Sequence, residues 1–404
     1  MKNLLFLFFL SFSVISAFSC SSKQQTNGIN NIAFVKENVS YASQQYRLMI
    51  DKIEDSTKLM NPKSFIKGKM KYIPTQEWTS GFFPGSLWYL YELEGDEKWK
   101  ALAKKYTESL DTIQYFTGNH DVGFMIFCSY GNGLRLTGNE AYKSVIVNAA
   151  KSLSTRFIPD AGIIQSWSAN KSKDWECPVI IDNMMNLELL FEATKLSGDS
   201  TFHNIAVSHV EKTLKNHYRS DYSTWHVIDY DMSDGSVRHR NTHQGYSDNS
   251  SWSRGQAWGI YGFVMCYRET KNEKYLHQAE KALNFIAEHP NYPDDGVPYW
   301  DFDAPDIPDT FRDASAGAIL ASALYELSAY SNQKNYKTWA DKILTSLASP
   351  SYRAEAGRNG NFLLMHSVGS LPHNSEVDVP LNYADYYFLE ALKRKRDLEK
   401  QSEN

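Results

Sequence analysis

Gly95-Asp96-Glu97-Lys98-Trp99 reads as a helix stop followed at once by a helix start. A glycine takes the left-handed conformation that ends a helix, and the acid after it caps the next one. The cue returns at Gly138-Asn139-Glu140-Ala141-Tyr142, Gly198-Asp199-Ser200-Thr201-Phe202, Lys271-Asn272-Glu273-Lys274-Tyr275 and Ser331-Asn332-Gln333-Lys334-Asn335-Tyr336. A rather apolar helix is predicted before each cue and an amphipathic one after it. Tyr142, Val145, Ala149 and Leu153, for instance, share one helix face, with Lys143 and Lys151 off it. Each cue is then the tight turn of a helical hairpin. Five cues give five hairpins, and the chain ends supply a sixth pair, from about Ile32 to Ser56 and from about Asp378 to Lys393.

An apolar helix must be covered on every side. Six buried helices ringed by six half-buried ones make an all-α (α/α)6 barrel, a single domain over residues 32–396 with a polar tail at 397–404. A helical solenoid competes, but its repeats have nearly constant length. Here Trp99 to Tyr142 is a short step and Phe202 to Tyr275 a long one. Extra length in some turns only is how a barrel builds a site on one face. Strand signals are scarce, limited to Trp225-His226-Val227-Ile228 and Gly296-Val297-Pro298-Tyr299.

The chain of 404 residues suits one large core or two ordinary domains. Its 14% aromatic content, with 25 Tyr and 10 Trp, suits a cleft for sugars, whose apolar ring faces stack on indole and phenol. A net charge of −5 gives no basic field, so nucleic acid is not an expected partner. Met1-Lys2-Asn3, the apolar run Leu4 to Phe18 and then Ser19-Cys20-Ser21-Ser22 read as a signal peptide over residues 1–19. Cys20 would be lipidated and 20–31 a flexible tether, although Ala17 stands where a lipobox usually has Leu. The expectation is an exported lipoprotein, in the periplasm or on the outer membrane, touching membrane only through Cys20. The apolar run is short for a span. Cys128, Cys177 and Cys266 show no metal spacing, and their odd count argues against a disulfide framework, so they read as buried thiols.

Unusual residues collect where the apolar helices begin. These starts are Glu77-Trp78-Thr79-Ser80-Gly81-Phe82-Phe83-Pro84-Gly85, His120-Asp121-Val122-Gly123-Phe124, Ile181-Asp182-Asn183-Met184-Met185-Asn186, the run from Ser247 to Gly259, Phe311-Arg312-Asp313-Ala314-Ser315, and Asn374 to Pro380. Inner helices of a barrel run the same way, so all six starts converge on one end of the cavity. Asp121 and Asp182 are the natural catalytic pair. Asp182 sits in an apolar frame, which raises its pKa, and a second acid pushes the two titrations apart. One of them can then hold a proton near neutral pH. Helix capping is the competing use of an aspartate at a helix start, but acids at several starts, beside His120 and Asn186, favour a site. Arg254 and Trp258 lie four apart on one helix face. With Trp252 they form a cation bracketed by indoles, suited to a sugar ring that carries a carboxylate. The plainer alternative is core tryptophans and a snorkelling arginine. His226 and Gln244 lie in the long segment before the fourth inner helix.

These motifs, with His243-Gln244-Gly245 leading to Ser253-Arg254-Gly255-Gln256-Ala257-Trp258, and Ser375-Glu376-Val377-Asp378-Val379-Pro380-Leu381, resemble the unsaturated glucuronyl hydrolases, family 88 of the glycoside hydrolases. The resemblance covers most of the chain from about Trp78. It implies an (α/α)6 barrel that releases a 4,5-unsaturated uronic acid from the non-reducing end of oligosaccharides left by polysaccharide lyases. The chemistry implied is hydration of an enol ether, with a proton to C4 and water to C5, and no cofactor or metal. By the same resemblance Asp182 is the general acid/base and Asp121 the second essential acid. Trp78, His226, Gln244, Trp252, Arg254 and Trp258 contact the sugar, and His120 is expected among the substrate-binding residues with them. Members favouring sulfated disaccharides are expected to carry serines and a lysine near Ser367 and Ser370; here Leu371-Pro372 follow and no lysine is nearby. The alternatives are an unsaturated rhamnogalacturonyl hydrolase acting on pectin fragments, a non-catalytic sugar-binding lipoprotein, and a sugar epimerase on the same barrel.

Overall fold

The computed structural model describes residue 1 and residues 19–54, 59–331 and 335–402. The predicted hairpins are there. Helix α2 (Phe82–Glu94) pairs with α3 (Glu97–Glu108), α7 (Leu187–Ser197) with α8 (Ser200–Asn216), α9 (Ser253–Thr270) with α10 (Glu273–Glu288), and α11 (Ala314–Leu327) with α12 (Tyr336–Leu347). The second inner helix is broken into α4 (Val122–Ile126), a π-helical turn (Phe127–Gly131) and α5 (Asn132–Thr137), and pairs with α6 (Glu140–Ser154). Helix α13 (Asn382–Ser402) closes the ring against α1 (Ser19–Glu54).

The cue works as its residue types dictate. Gly95, Gly138, Gly198 and Lys271 end their helices in the left-handed region, with φ of 74°, 63°, 74° and 57°. The side chains of Asp96, Asn139, Asp199 and Asn272 then each accept the N–H two residues on. The fifth cue lies partly outside the described residues, at 332–334.

Inner helices are apolar because they are enclosed. Every residue of α11 from Ala314 to Tyr325 is buried, as is α9 from Ser253 to Cys266. One continuous hydrophobic cluster runs from Val35 to Leu392, which makes the barrel a single domain. Cys128, Cys177 and Cys266 are free and buried, the first and last inside that cluster and Cys177 in a smaller one around Val179 and Ile228.

Three sequence expectations need correction. Helix α1 reaches back to Ser19 through the stretch read as a tether; no proline interrupts that run, and Asn31 bonds Glu399 at 3.2 Å. The signal peptide lies almost wholly outside the described residues. The polar tail is helical to Ser402, with Glu399 buried and paired to Lys337 at 2.7 Å. The sixth inner helix starts at Asn382 rather than Asp378, because Ser375–Val379 is a strand.

Strands are also more numerous than expected. β1 (Asn61–Ile66) and β2 (Lys69–Ile73) form a hairpin, β3 (Phe157–Ile158) and β4 (Ile163–Ile164) a short ladder, and β8 (Ser367–Ser370) and β9 (Ser375–Val379) a second hairpin. β5 (Cys177–Ile180), β6 (Val227–Tyr230) and β7 (Val237–Asn241) make a three-stranded antiparallel sheet. All but the β3–β4 ladder bear directly on the site.

Candidate active site

The small sheet sets the first distance. Ile180 pairs with Val227 across β5 and β6, and Ile181 N donates to His226 O at 3.1 Å. Asp182 and His226 therefore leave the sheet side by side. The second acid arrives from the next inner helix. Phe124 N donates to Asn186 Oδ1 at 2.8 Å, and a Cβ on Gly123 would fall 2.6 Å from Asn186 Cα. Only glycine lets the two acid-bearing segments come that close.

Trp78, Asp121, Trp167, Ile180, Asp182, Gln244 and Arg254 line one pocket of about 90 Å³. Neither acid is occupied by capping. Asp121 stands at the N-cap of α4 but makes no side-chain cap bond, and Asp182 lies inside a 3₁₀ turn (Ile181–Asn186). The contrast is Asp313, whose carboxylate caps α11 by accepting from Ser315 N. The capping alternative fails for the two acids that face the pocket.

Both carboxyls are pushed up. Burial raises Asp182 to about 7, against the pull of Arg254. Burial raises Asp121 well above the usual carboxylate range, and Asp182 and Glu77 push it further. The pair therefore retains at least one proton at neutral pH. His120 is fully buried beside Asp121, its Nε2 3.4 Å from Oδ1. Burial and Arg156 lower its pKa to about 3, so it is a neutral neighbour.

His226 is held in one tautomer. Its Nδ1 accepts from the backbone N–H of His243 at 3.0 Å and of Gln244 at 3.1 Å, so the ring proton sits on Nε2. That nitrogen is 3.9 Å from Asp182 Oδ2. Both atoms are buried and have no hydrogen-bond partner. Two facing orphan polar atoms are a place made for a hydroxyl group.

Arg254 sits over Trp252 at 4.5 Å and Tyr383 at 5.5 Å. The expected bracket of two indoles is thus corrected to one indole and one phenol. Trp258 is fully buried one layer down, against Phe124 at 5.2 Å and Tyr387 at 5.3 Å, with no face on the pocket. Trp252 lies behind His226, ring centres 4.5 Å apart. The guanidinium is already braced: Nη1 donates to Asp313 at 2.9 Å and to Val368 O, and Nη2 to Gly369 O at 2.6 Å. Gln244 Nε2 also donates to Gly369 O, at 3.0 Å. The β8–β9 hairpin thereby becomes a wall of the site. Glu376 anchors its far strand to the β1–β2 hairpin through Lys63 and Lys71, each at 2.8 Å.

Two participants escaped the sequence reading. Trp167 lies in a loop and is half-buried, stacked on Trp175 with ring centres 6.0 Å apart. Asp313, at the start of the fifth inner helix, pairs with Arg254. Among the described residues, no group of three His, Cys, Asp or Glu side chains is placed to hold a metal ion.

The sequence profile of Glycosyl Hydrolase Family 88 matches residues 28–396. An unsaturated glucuronyl hydrolase of Formosa agariphila is 53% identical over 327 residues, 81% of this chain and 82% of the relative. That of a Bacillus species is 34% identical over 339 residues, 81% and 89% of the two chains. A crystal structure of an unsaturated glucuronyl hydrolase specific for heparin superimposes with a TM-score of 0.87 at 46% identity, covering 91% of this chain and 98% of that one.

Proposed function

The chain belongs to Glycosyl Hydrolase Family 88, and from that membership we propose that it releases a 4,5-unsaturated uronic acid from the non-reducing end of lyase-generated oligosaccharides. Glycosaminoglycan disaccharides of the chondroitin, hyaluronan or heparin type are the substrate class. The observation that carries the reading is the pair of buried, uncapped aspartates sharing one aromatic-lined pocket with an arginine. The family and its glucuronyl relatives support this substrate over pectin fragments, and support an enzyme over a sugar-binding lipoprotein or an epimerase.

Asp182 gives its proton to C4, and the C4=C5 electron pair becomes the new C–H bond. The positive charge is shared between C5 and the ring oxygen. Water adds at C5, returning a proton to Asp182; the hemiketal then breaks its bond from C5 to the ring oxygen to give a C5 ketone, and the hemiacetal left at C1 releases the aglycone as an alcohol. A group balanced near neutrality can both give and retake a proton. Asp121, protonated by burial, donates a hydrogen bond rather than holding a charge. No nucleophile is required, so the two-carboxylate spacing rule of ordinary glycosidases does not govern this site. Arg254 faces the substrate carboxylate, Trp78 stacks on the ring, and His226 Nε2–H and Gln244 meet its hydroxyls. Trp252 and Trp258 act through packing, and His120 through Asp121.

Loss of the C4=C5 absorbance of unsaturated chondroitin and heparin disaccharides tests the activity. The pH profile tests the acid: kcat/KM should hold below pH about 7 and fall about tenfold per unit above it, as Asp182 loses its proton. Inertness toward every such disaccharide would end the reading. A rate rising through pH 8 would remove Asp182 as the proton donor.

For localisation we propose export as a lipoprotein anchored at Cys20, supported by Met1-Lys2-Asn3, the apolar run to Phe18 and the cysteine that follows. Labelled palmitate should enter the wild-type chain and not Cys20→Ser, which should appear as soluble protein. Equal labelling of the two would refute the anchor.

A further inference from the structure

Behind Asp121 the wall of the pocket is polar and buried. His120 and Asn186 both lie there, fully enclosed. Asn186 ends the 3₁₀ turn that carries Asp182, and His120 precedes Asp121. The hydrogens of this cluster can be assigned one after another. Phe124 N donates at 2.8 Å to the amide oxygen of Asn186, so Nδ2 is the donor end of that amide. Nδ2 lies 3.4 Å from His120 Nδ1. Nδ1 therefore accepts, and the proton of the neutral ring sits on Nε2.

Nε2 faces Asp121 Oδ1 at 3.4 Å. Hydrogen bonds between catalytic groups are often this long before substrate closes the site. Asn183 also reaches the ring. Its Nδ2 already donates to Ile164 O at 2.7 Å and to Ser166 Oγ at 3.4 Å, so it offers the ring only its oxygen. A donor thus stands at Nδ1, and acceptors are left for Nε2–H. With Oδ1 of Asp121 accepting from the ring, the carboxyl proton of Asp121 is left for Oδ2. The charged groups around that carboxyl are Asp182 and Glu77, which add to burial in keeping it protonated, and Arg156, which works against them.

We propose that Asn186 is a positioning residue of the reaction: through the tautomer and orientation of His120 it decides which oxygen of Asp121 keeps the proton, and so which oxygen donates into the pocket. The proposal rests on the hydrolysis described above, in which Asp121 serves as a hydrogen-bond donor. A carboxyl free to carry its proton on either oxygen would present that donor only part of the time. Asn186 also links the two acids. One end of its amide fixes their spacing through Phe124 N, and the other end orients the ring that faces Asp121.

Two measurements test it. NMR of isotope-labelled histidine reports the tautomer of each ring, and the His120 signals are those that vanish in His120→Gln. At neutral pH the wild type should carry the ring proton on Nε2; a proton on Nδ1 overturns the assignment. That measurement uses the unaltered protein and no substrate, so it decides even if Asn186→Leu does not fold. In kinetics on an unsaturated disaccharide, Asn186→Leu should lower kcat about 10²-fold, the low end for loss of an oriented donor, with KM little changed. In a His120→Gln background the same substitution should cost less than about threefold, because the glutamine amide reaches Asp121 without help from Asn186. An equal loss in both backgrounds would make Asn186 a strut for Phe124 N alone and overturn the proposal. So would a wild-type kcat in Asn186→Leu. Turnover of no unsaturated disaccharide by the wild type fails the hydrolase reading instead, whatever the tautomer of His120.

Discussion

Asp182→Asn should lower kcat on an unsaturated disaccharide by about 10³-fold or more while leaving the fold at least as stable, because general acid catalysis is worth about 10²–10⁴ and the hydration has no other route. The amide has the shape of the acid and no proton of the right acidity to give. Asp182 does not cap its helical turn, and its Oδ2 has no partner, so no framework bond is lost. Its raised pKa says that burial already penalises the charged form. A neutral side chain removes that cost, and Tm should be equal or higher. A near-wild-type rate would take Asp182 out of the mechanism. A collapsed Tm would make its role structural.

Arg254→Ala should be damaging in both respects. Asp313 would keep a buried carboxylate without its counter-ion, a loss of about 3–5 kcal/mol. Val368 O and Gly369 O would lose their donor, so the hairpin wall would loosen. Activity on an acidic substrate should fall about 10²-fold or more, as when a buried charged partner is removed. Arg254→Lys separates the two roles. A lysine can neutralise Asp313 but, as a point charge, cannot also serve two carbonyls and a substrate carboxylate. Stability should recover further than kcat/KM. An unchanged kcat/KM in Arg254→Lys would mean that the guanidinium does not hold the substrate, and an unchanged Tm in Arg254→Ala would mean that it does not brace the wall.

The helical frame was legible because it is written locally. A left-handed residue at Gly95 or Gly138 and a capping Asp96 or Asn139 obey rules that span a few residues. The meeting of Asp121 and Asp182 followed from the same frame, since inner helices share a direction. What local rules miss is the neighbour from elsewhere in the chain. Helical spacing set Trp258 beside Arg254, yet Tyr383, from the last helix, takes that place. The alternation in Glu376-Val377-Asp378-Val379 was a strand signal, masked by acids and a proline that look like a helix start. Glu376 and Asp378 adopt φ of 57° and 54°, a conformation that local preference disfavours; Lys63 and Lys71 hold Glu376, and His366 bonds Asp378. His226 and Trp167 owe their importance to the small sheet and its loops, whose register no helical periodicity reports.

Helices α1 and α13 lie antiparallel: Tyr46 meets Asp385, while Asn31 meets Lys395 and Glu399. Asn382 opens α13 at the pocket end, so Asn31 and Glu399 lie at the opposite floor. A barrel fastened through Cys20 would hang from its floor, with its opening turned away from the bilayer toward arriving oligosaccharides. The anchor could then be lengthened, shortened or cut without touching the chemistry.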